Sequence, residues 1–522
     1  MFPGKHAALA PTRPAIIMAG TGQTMTYAEL ELGSRRLANL LRRHCLHAGD
    51  HLAVLMDNHL RYLEVVWGAL RCGLQITTVN RYLTGPEAAY IVADCGATAL
   101  ITSEAMADVA QQVSDACPEL TLKLMVGPAA TGFSPYDADT AAQDDSTPEV
   151  EPLGEFMLYS SGTTGVPKGI LRPLSGRSIT DGPAVVTGLG AVFGFNDRTV
   201  YLSSAPLYHA APLGFCVAVQ ALGGTVVVME HFDALEALRA IERHRVTASQ
   251  WVPTMFTRML KLPEHERHTF DLSTMTLAIH AAAPCPVPVK QQMIDWWGPI
   301  LVEYYGGSEG AGMTMCSSAE WLDHQGTVGR AVLGAVRVCD DTGIEVPIGQ
   351  TGTVYFERPV ASFEYHGDVD KTIASRHPQH EGWTTMGDIG HLDGDGYLYL
   401  TDRRSFTIIS GGVNVYPQEV ENVLTTHPAV ADAAVIGLPD LDLGEAVTAV
   451  LELEPPEDDS DELRAEIVEL CRSRLAGYKV PRAVIVVEAL PRLPTGKLYK
   501  AALRDQLLAD RAAGTTDALA SA

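Results

Sequence analysis

Between Tyr159 and Gly169 the chain reads YSSGTTGVPKG, and four Ser/Thr hydroxyls, three glycines and one lysine share these eleven residues. Hydroxyls and glycine-freed amides donate hydrogen bonds and a lysine adds charge, so the natural guest is an anion, phosphate above all. The preceding EFMLY reads as a buried strand that aims the loop from a rigid element. The stretch is not a Walker loop. Gly162-Thr-Thr-Gly-Val-Pro-Lys168-Gly169 has the wrong spacing, a proline before the lysine and no metal-reaching hydroxyl after it. Kinase and GTPase chemistry fail at the motif, and a plain surface turn is the competing reading.

The elements that must carry such a loop alternate. HLAVLMDN reads as a strand, RYLEVVWGALRCG as a helix stopped at Gly73, and QITTVN as a strand again. TGPEAAYIVADCG opens on a capping box, Thr84 with Glu87, before the strand TALITS; Asp233 caps a later helix between two strands. Over the first four hundred residues this alternation predicts parallel sheets covered on both faces. PLGFCVAVQALGGTVVVM, broken by Gly223 and Gly224, reads as a buried helix, a turn and a strand, not a membrane span. The acidic segment SPYDADTAAQDDSTPEVEP reads as a surface loop, and DGDGYLYL as a hairpin turn. Past about residue 403 the texture shifts to a small domain of three strands and one or two helices, with a boundary between Asp402 and Ser405.

At 522 residues the chain is too long for one core. Its formal charge of −25 sets nucleic acid aside as a partner. Nine cysteines without CxxC pairs, and an N-terminus without a signal pattern, point to a reducing cytoplasm.

YSSGTTGVPKG closely resembles the signature of the acyl-adenylate-forming enzymes, the superfamily of acyl-CoA synthetases, peptide-synthetase adenylation domains and luciferases. Further motifs follow in the expected order. YYGGSEG (304–310) resembles the Tyr-Gly-x-Thr-Glu element, and GWTTMGDIGHLDGDGYLYLTDRR the segment with the ribose-binding aspartate. IISGGVNVYPQEVE and GYKVPR…LPTGKLYK resemble the C-terminal domain's opening and final elements. The likeness runs from about residue 25 to 507, and its texture is nearest to bacterial fatty-acyl-CoA synthetase-like ligases. It implies a large α/β N-terminal domain, residues 1–402, of parallel βαβ sheets plus a β-rich subdomain. A hinge at 403–405 and a small mobile α+β C-terminal domain, 406–522, would follow, with 508–522 a disordered tail.

The resemblance also implies roles. Ser160, Ser161, Thr163, Thr164 and Lys168 would hold the β- and γ-phosphates of ATP, with Gly162 and Gly165 letting amides approach. Glu309 would bind Mg2+. Adenine would lie against Ala281, Ala282 and Ala283 and the run Tyr304, Tyr305, Gly306, Gly307 and Ser308. Asp388 would accept the ribose hydroxyls with Arg403 nearby, and Lys497 would bridge the carboxylate and the α-phosphate. Gly411 and Gly412 would line the pantetheine tunnel of coenzyme A. His209 either guards the acyl pocket or is a satisfied core histidine.

Several positions depart from the pattern: Ser308 for Thr, Met386 for the Thr of Thr-Gly-Asp, and Ser405 and Phe406 at the hinge. The expected activity is a carboxylic acid:CoA ligase taking a bulky apolar acid, fatty or polycyclic, with a homodimer as a family-level expectation. The alternatives are a partial ligase that only thioesterifies a supplied adenylate, an enzyme loading a carrier protein's phosphopantetheine, a nucleotide-binding pseudoenzyme and a luciferase-type oxidase.

Overall fold

The computed structural model describes residues 1–160, 167–403, 406–410, 413–440, 443–455, 457, 459–492 and 498–513. The expected site residues Ser161, Gly162, Thr163, Thr164, Gly165, Gly411, Gly412 and Lys497 lie outside these, as do the side chains of Ser160 and Arg403.

Two βαβ sheets carry the larger part. One has nine strands, and its six central ones run parallel in the order Leu301–Tyr305, Leu277–His280, Ala248–Trp251, Val200–Ser203, Thr225–Val228, Pro14–Met18. The other has six, all parallel, centred on Ala97–Ser103, His51–Leu55 and Gln75–Thr78. Helices Tyr27–Arg43, Tyr62–Leu70 and Ala210–Ala221 supply buried side chains to one shared core, among them Leu37, Trp67 and Phe215. Polar pins cross it. The Trp67 indole donates to Gln220 Oε1 at 2.8 Å, and the buried Arg71 guanidinium lies between Glu31 (2.8 Å) and Glu151 (2.6 Å).

The helix, turn and strand over 212–229 form as expected, with helix Ala210–Ala221 buried from Pro212 onward. The Thr84–Glu87 box and the Asp233 cap are both made. Asp393 closes a hairpin between antiparallel strands Trp383–Leu392 and Leu398–Arg403, its backbone amide donating to Tyr397 O at 3.0 Å.

Elsewhere the structure corrects the reading. Strand–helix alternation ends at Leu301–Tyr305; antiparallel hairpins then dominate, giving a four-stranded sheet from Ala335–Cys339 to Leu398–Arg403. EFMLY is two strands: Glu155–Phe156 joins the six-stranded sheet and Leu158–Ser160 pairs with Lys168–Leu171. The acidic segment is only partly a surface loop. Tyr136 in helix Tyr136–Ala141 is fully buried and its hydroxyl donates to Glu64 Oε1 at 2.8 Å, because an aromatic ring gains more from burial than the flanking carboxylates lose. The C-terminal region holds five described strands, centred on Val430–Asp440 and Gly444–Leu453, and helices Pro417–Leu424, Asp461–Arg474 and Lys500–Ala513. Residues 508–513, expected in the tail, instead continue helix Lys500–Ala513: Leu507 is buried, Leu508 packs beside it, and Arg511 donates to Pro439 O at 2.8 Å. Among the described residues no helix is long and apolar enough to cross a membrane.

Candidate active site

In a parallel sheet the open crevice lies beyond the carboxyl ends of the strands. Four such ends meet here, those of Val200–Ser203, Ala248–Trp251, Leu277–His280 and Leu301–Tyr305. The hairpin that bears the glycine loop belongs to a separate three-stranded sheet, with Lys168 opposite Ser160. Its base is anchored by Tyr159, whose hydroxyl donates to Asp94 Oδ2 at 2.5 Å; burial and that carboxylate hold the phenol strongly protonated. Lys168 Nζ lies 3.3 Å from Asp368 Oδ2. Asp368 also caps helix Val369–Ala374 by accepting from the Lys371 amide, and that bond, ahead of Lys168, holds its carboxyl below the usual range.

The loop after Leu301–Tyr305 is clamped through its carbonyls. Arg172 donates to Ser308 O at 2.6 Å, while Arg358 (3.0 Å) and Ser362 (2.9 Å) donate to Gly310 O. Glu309 Oε1 accepts from the Tyr365 hydroxyl at 3.0 Å. Two side chains converge on Gly307: a Cβ on it would stand 2.4 Å from Met386 Sδ and 2.5 Å from Glu309 Oε2. The thioether of Met386 thus crowds the same point as the Glu309 carboxylate. Asp388, buried on strand Trp383–Leu392, accepts from the Tyr305 hydroxyl at 2.5 Å and stands opposite Arg403 in the hairpin.

Ala281 follows strand Leu277–His280 directly, and Ala282 sits at φ +77°, a left-handed conformation that costs an alanine about 1–2 kcal/mol. His209 is the N-cap residue of helix Ala210–Ala221, half-buried, its ring 4.0 Å from that of Tyr208. Further along the same helix Phe215 sits in a buried aromatic cluster. Phe215 is 5.4 Å from Phe193 and 6.1 Å from Tyr304, ring centre to ring centre, and the Tyr304 hydroxyl accepts from Gln250 at 3.2 Å.

Comparison with known proteins gives the family. Residues 4–366 match the AMP-binding enzyme family and residues 419–497 the AMP-binding enzyme C-terminal domain. The chain belongs to the AMP-binding enzyme family. A feruloyl-CoA synthase of Amycolatopsis sp is 34% identical over 513 residues, covering 96% of this chain and 98% of the relative. A long-chain-fatty-acid–CoA ligase of Mycobacterium tuberculosis, FadD13, is 32% identical over 512 residues, covering 96% and 97%. Among solved structures, o-succinylbenzoate CoA synthetase from Bacillus subtilis with its acyl-adenylate intermediate superposes with a TM-score of 0.80 at 28% identity, covering 97% of each chain.

For this AMP-binding enzyme the structure brings Lys168, Glu309, Asp388 and Tyr305 onto loops and strand ends that share contacts. Sequence reasoning did not find Asp368, Tyr365, Arg358 or Ser362. Each acts across a gap in sequence, Tyr365 reaching Glu309 over 56 residues, and leaves no local signature.

Proposed function

We propose that this protein joins a bulky apolar carboxylic acid to the thiol of CoA in two acyl transfers. It is an AMP-forming acid–thiol ligase. The carboxylate attacks the α-phosphorus of ATP and expels pyrophosphate; the thiol then attacks the mixed anhydride's carbonyl carbon and expels AMP. Adenylation is needed because a carboxylate oxygen is too poor a leaving group for a thiol to displace. The protein's task is mainly to neutralise phosphate charge and orient the reactants.

In this reading Lys168 and the hydroxyls of 160–164 receive the β- and γ-phosphates, with Lys168 exchanging Asp368 for phosphate oxygens. Asp388 and Tyr305 receive the ribose, and Ala281, Ala282 and Ala283 the adenine. Lys497 approaches the α-phosphate during adenylation. Glu309 suits Mg2+: Tyr365 orients its carboxylate through Oε1, and Mg2+ takes one or two carboxylates plus phosphate oxygens and water. When bound, the ion supplies charge neutralisation on the phosphates. We place the domain boundary at 402, the hinge at 403–405 and the mobile domain from 406.

What supports the substrate class is the predominance of small residues in HAAAPCP and YYGGSEGAGM, which leaves room for a large acyl group, together with relatives named for feruloyl and long-chain fatty acid substrates. ATP–pyrophosphate exchange over a panel of acids tests it: long-chain and aromatic acids should drive exchange and acetate should not. Lys497→Ala should abolish exchange while sparing thioester formation from synthetic acyl-adenylate; equal loss of both removes the lysine's assignment. A second reading, thioesterification alone, is favoured by Met386, which replaces the threonine hydroxyl expected from the resembled Thr-Gly-Asp element.

A further inference from the structure

We propose that Glu303 is a positioning residue that staples together the two segments assigned to adenine, residues 281–283 and Tyr304–Tyr305, with Lys290 as its buried partner. The inference rests on the site reading above.

Strands Leu277–His280 and Leu301–Tyr305 are parallel neighbours, and His280 stands opposite Glu303. Past His280 the chain leaves the sheet, runs through 281–286 and enters helix Val287–Trp297, whose first turns carry Lys290. Lys290 Nζ returns to Glu303, donating to Oε2 at 2.5 Å. The segment is therefore tied to one residue at both ends, by backbone pairing at His280 and by the side-chain bond at Lys290. Glu303 also directly precedes Tyr304 and Tyr305, so a single carboxylate fixes both walls.

The pair sits out of water, with the Cys316 thiol, 3.9 Å from Lys290 Nζ, as a further, weak polar neighbour. Lys290 and His280 are fully buried and Glu303 is 5% exposed. The Trp321 ring lies 4.8 Å from Lys290 Nζ. His280 Nε2 is 3.8 Å from Glu303 Oε2, too far for a hydrogen bond. Burial, and then Lys290, push the His280 imidazole well below its ordinary value, so it stays neutral and Lys290 is the cation that answers Glu303. A buried ion pair is a poor source of net stability, since apolar replacements of similar volume are often neutral or better. Its output is geometry. Ala282 at φ +77° lies inside the stapled segment, and such a conformation persists where its surroundings over-determine it.

The test uses the full chain with AMP and pyrophosphate as probes, comparing the unaltered protein with Lys290→Met and with the double variant Lys290→Met/Glu303→Met. Calorimetry gives each dissociation constant and a thermal melt gives stability. The double variant should melt at or above the unaltered chain yet bind AMP about tenfold more weakly, with pyrophosphate affinity held within about twofold. AMP affinity equal to that of the unaltered chain, or an equal loss for pyrophosphate, overturns the proposal. Should Lys290→Met fail to fold, the double variant, which leaves no buried charge behind, carries the comparison. A missing thioester from the unaltered chain would sink the ligase reading and leave this comparison standing.

Discussion

Met386 is the single residue with most leverage on the chemistry. Its sulfur and the Glu309 carboxylate both border the space a Cβ on Gly307 would take, and its side chain packs against the cluster of Ile170, Ala311 and Phe356. A threonine there would add a hydroxyl beside the phosphates, and one such bond is worth about 1–3 kcal/mol, or about tenfold to a hundredfold in rate. Met386→Thr should raise ATP–pyrophosphate exchange at least about tenfold while leaving thioesterification of a supplied adenylate within about twofold. An unchanged exchange rate would mean the hydroxyl has no target. Lys168, Glu309 and Asp388 stand out as candidates because their neighbours form short, ordered motifs. Asp368 and Tyr365 do not, since nothing in EYHGDVDKT shows that it folds back beside Lys168 and Glu309.

Elements were legible where the pattern was local. Capping boxes, the Gly73 stop and the Asp393 hairpin are each decided within a few residues, and each forms. The segment around Tyr136 misled because its acidic composition hides one ring and two carboxylates with distant partners: Asp137 pairs with Arg61 at 3.0 Å and Glu151 with Arg71 at 2.6 Å. The Arg71 site shows what such long-range pins contribute. Removing the guanidinium takes from Glu151 its Arg71 partner and leaves Glu31 only Arg35, 3.6 Å away, and breaking a buried pair costs about 3–5 kcal/mol. Arg71→Met should lower the unfolding free energy by roughly that amount in denaturant titration. A loss under about 1 kcal/mol would show that water already solvates those carboxylates.

For the whole molecule, two parallel sheets sharing one core provide the crevice, while the described C-terminal strands and helices form clusters of their own. The alternation of strand and helix announced the sheets. Of the late antiparallel hairpins only the Asp393 turn stood out, because the other turns resemble any polar connection. Stability of the whole carries the imprint of His280. Its folded pKa lies well below the ordinary 6.5, so the unfolded chain takes up the proton first. Its contribution is complete above the unfolded value and is lost as pH falls below about 6.5, at up to about 1.4 kcal/mol per pH unit. Thermal melts from pH 7 to 5 should therefore fall more steeply for the unaltered chain than for His280→Leu; parallel curves would contradict the burial argument. The central claim, a complete ligase, is tested most directly by mass spectrometry of the purified protein with ATP, Mg2+, CoA and a panel of bulky apolar acids, run beside the matching acyl-adenylates. The account predicts acyl-CoA and AMP from free acid and ATP. Thioester from the adenylates alone would contradict it and leave a protein that performs only the second transfer.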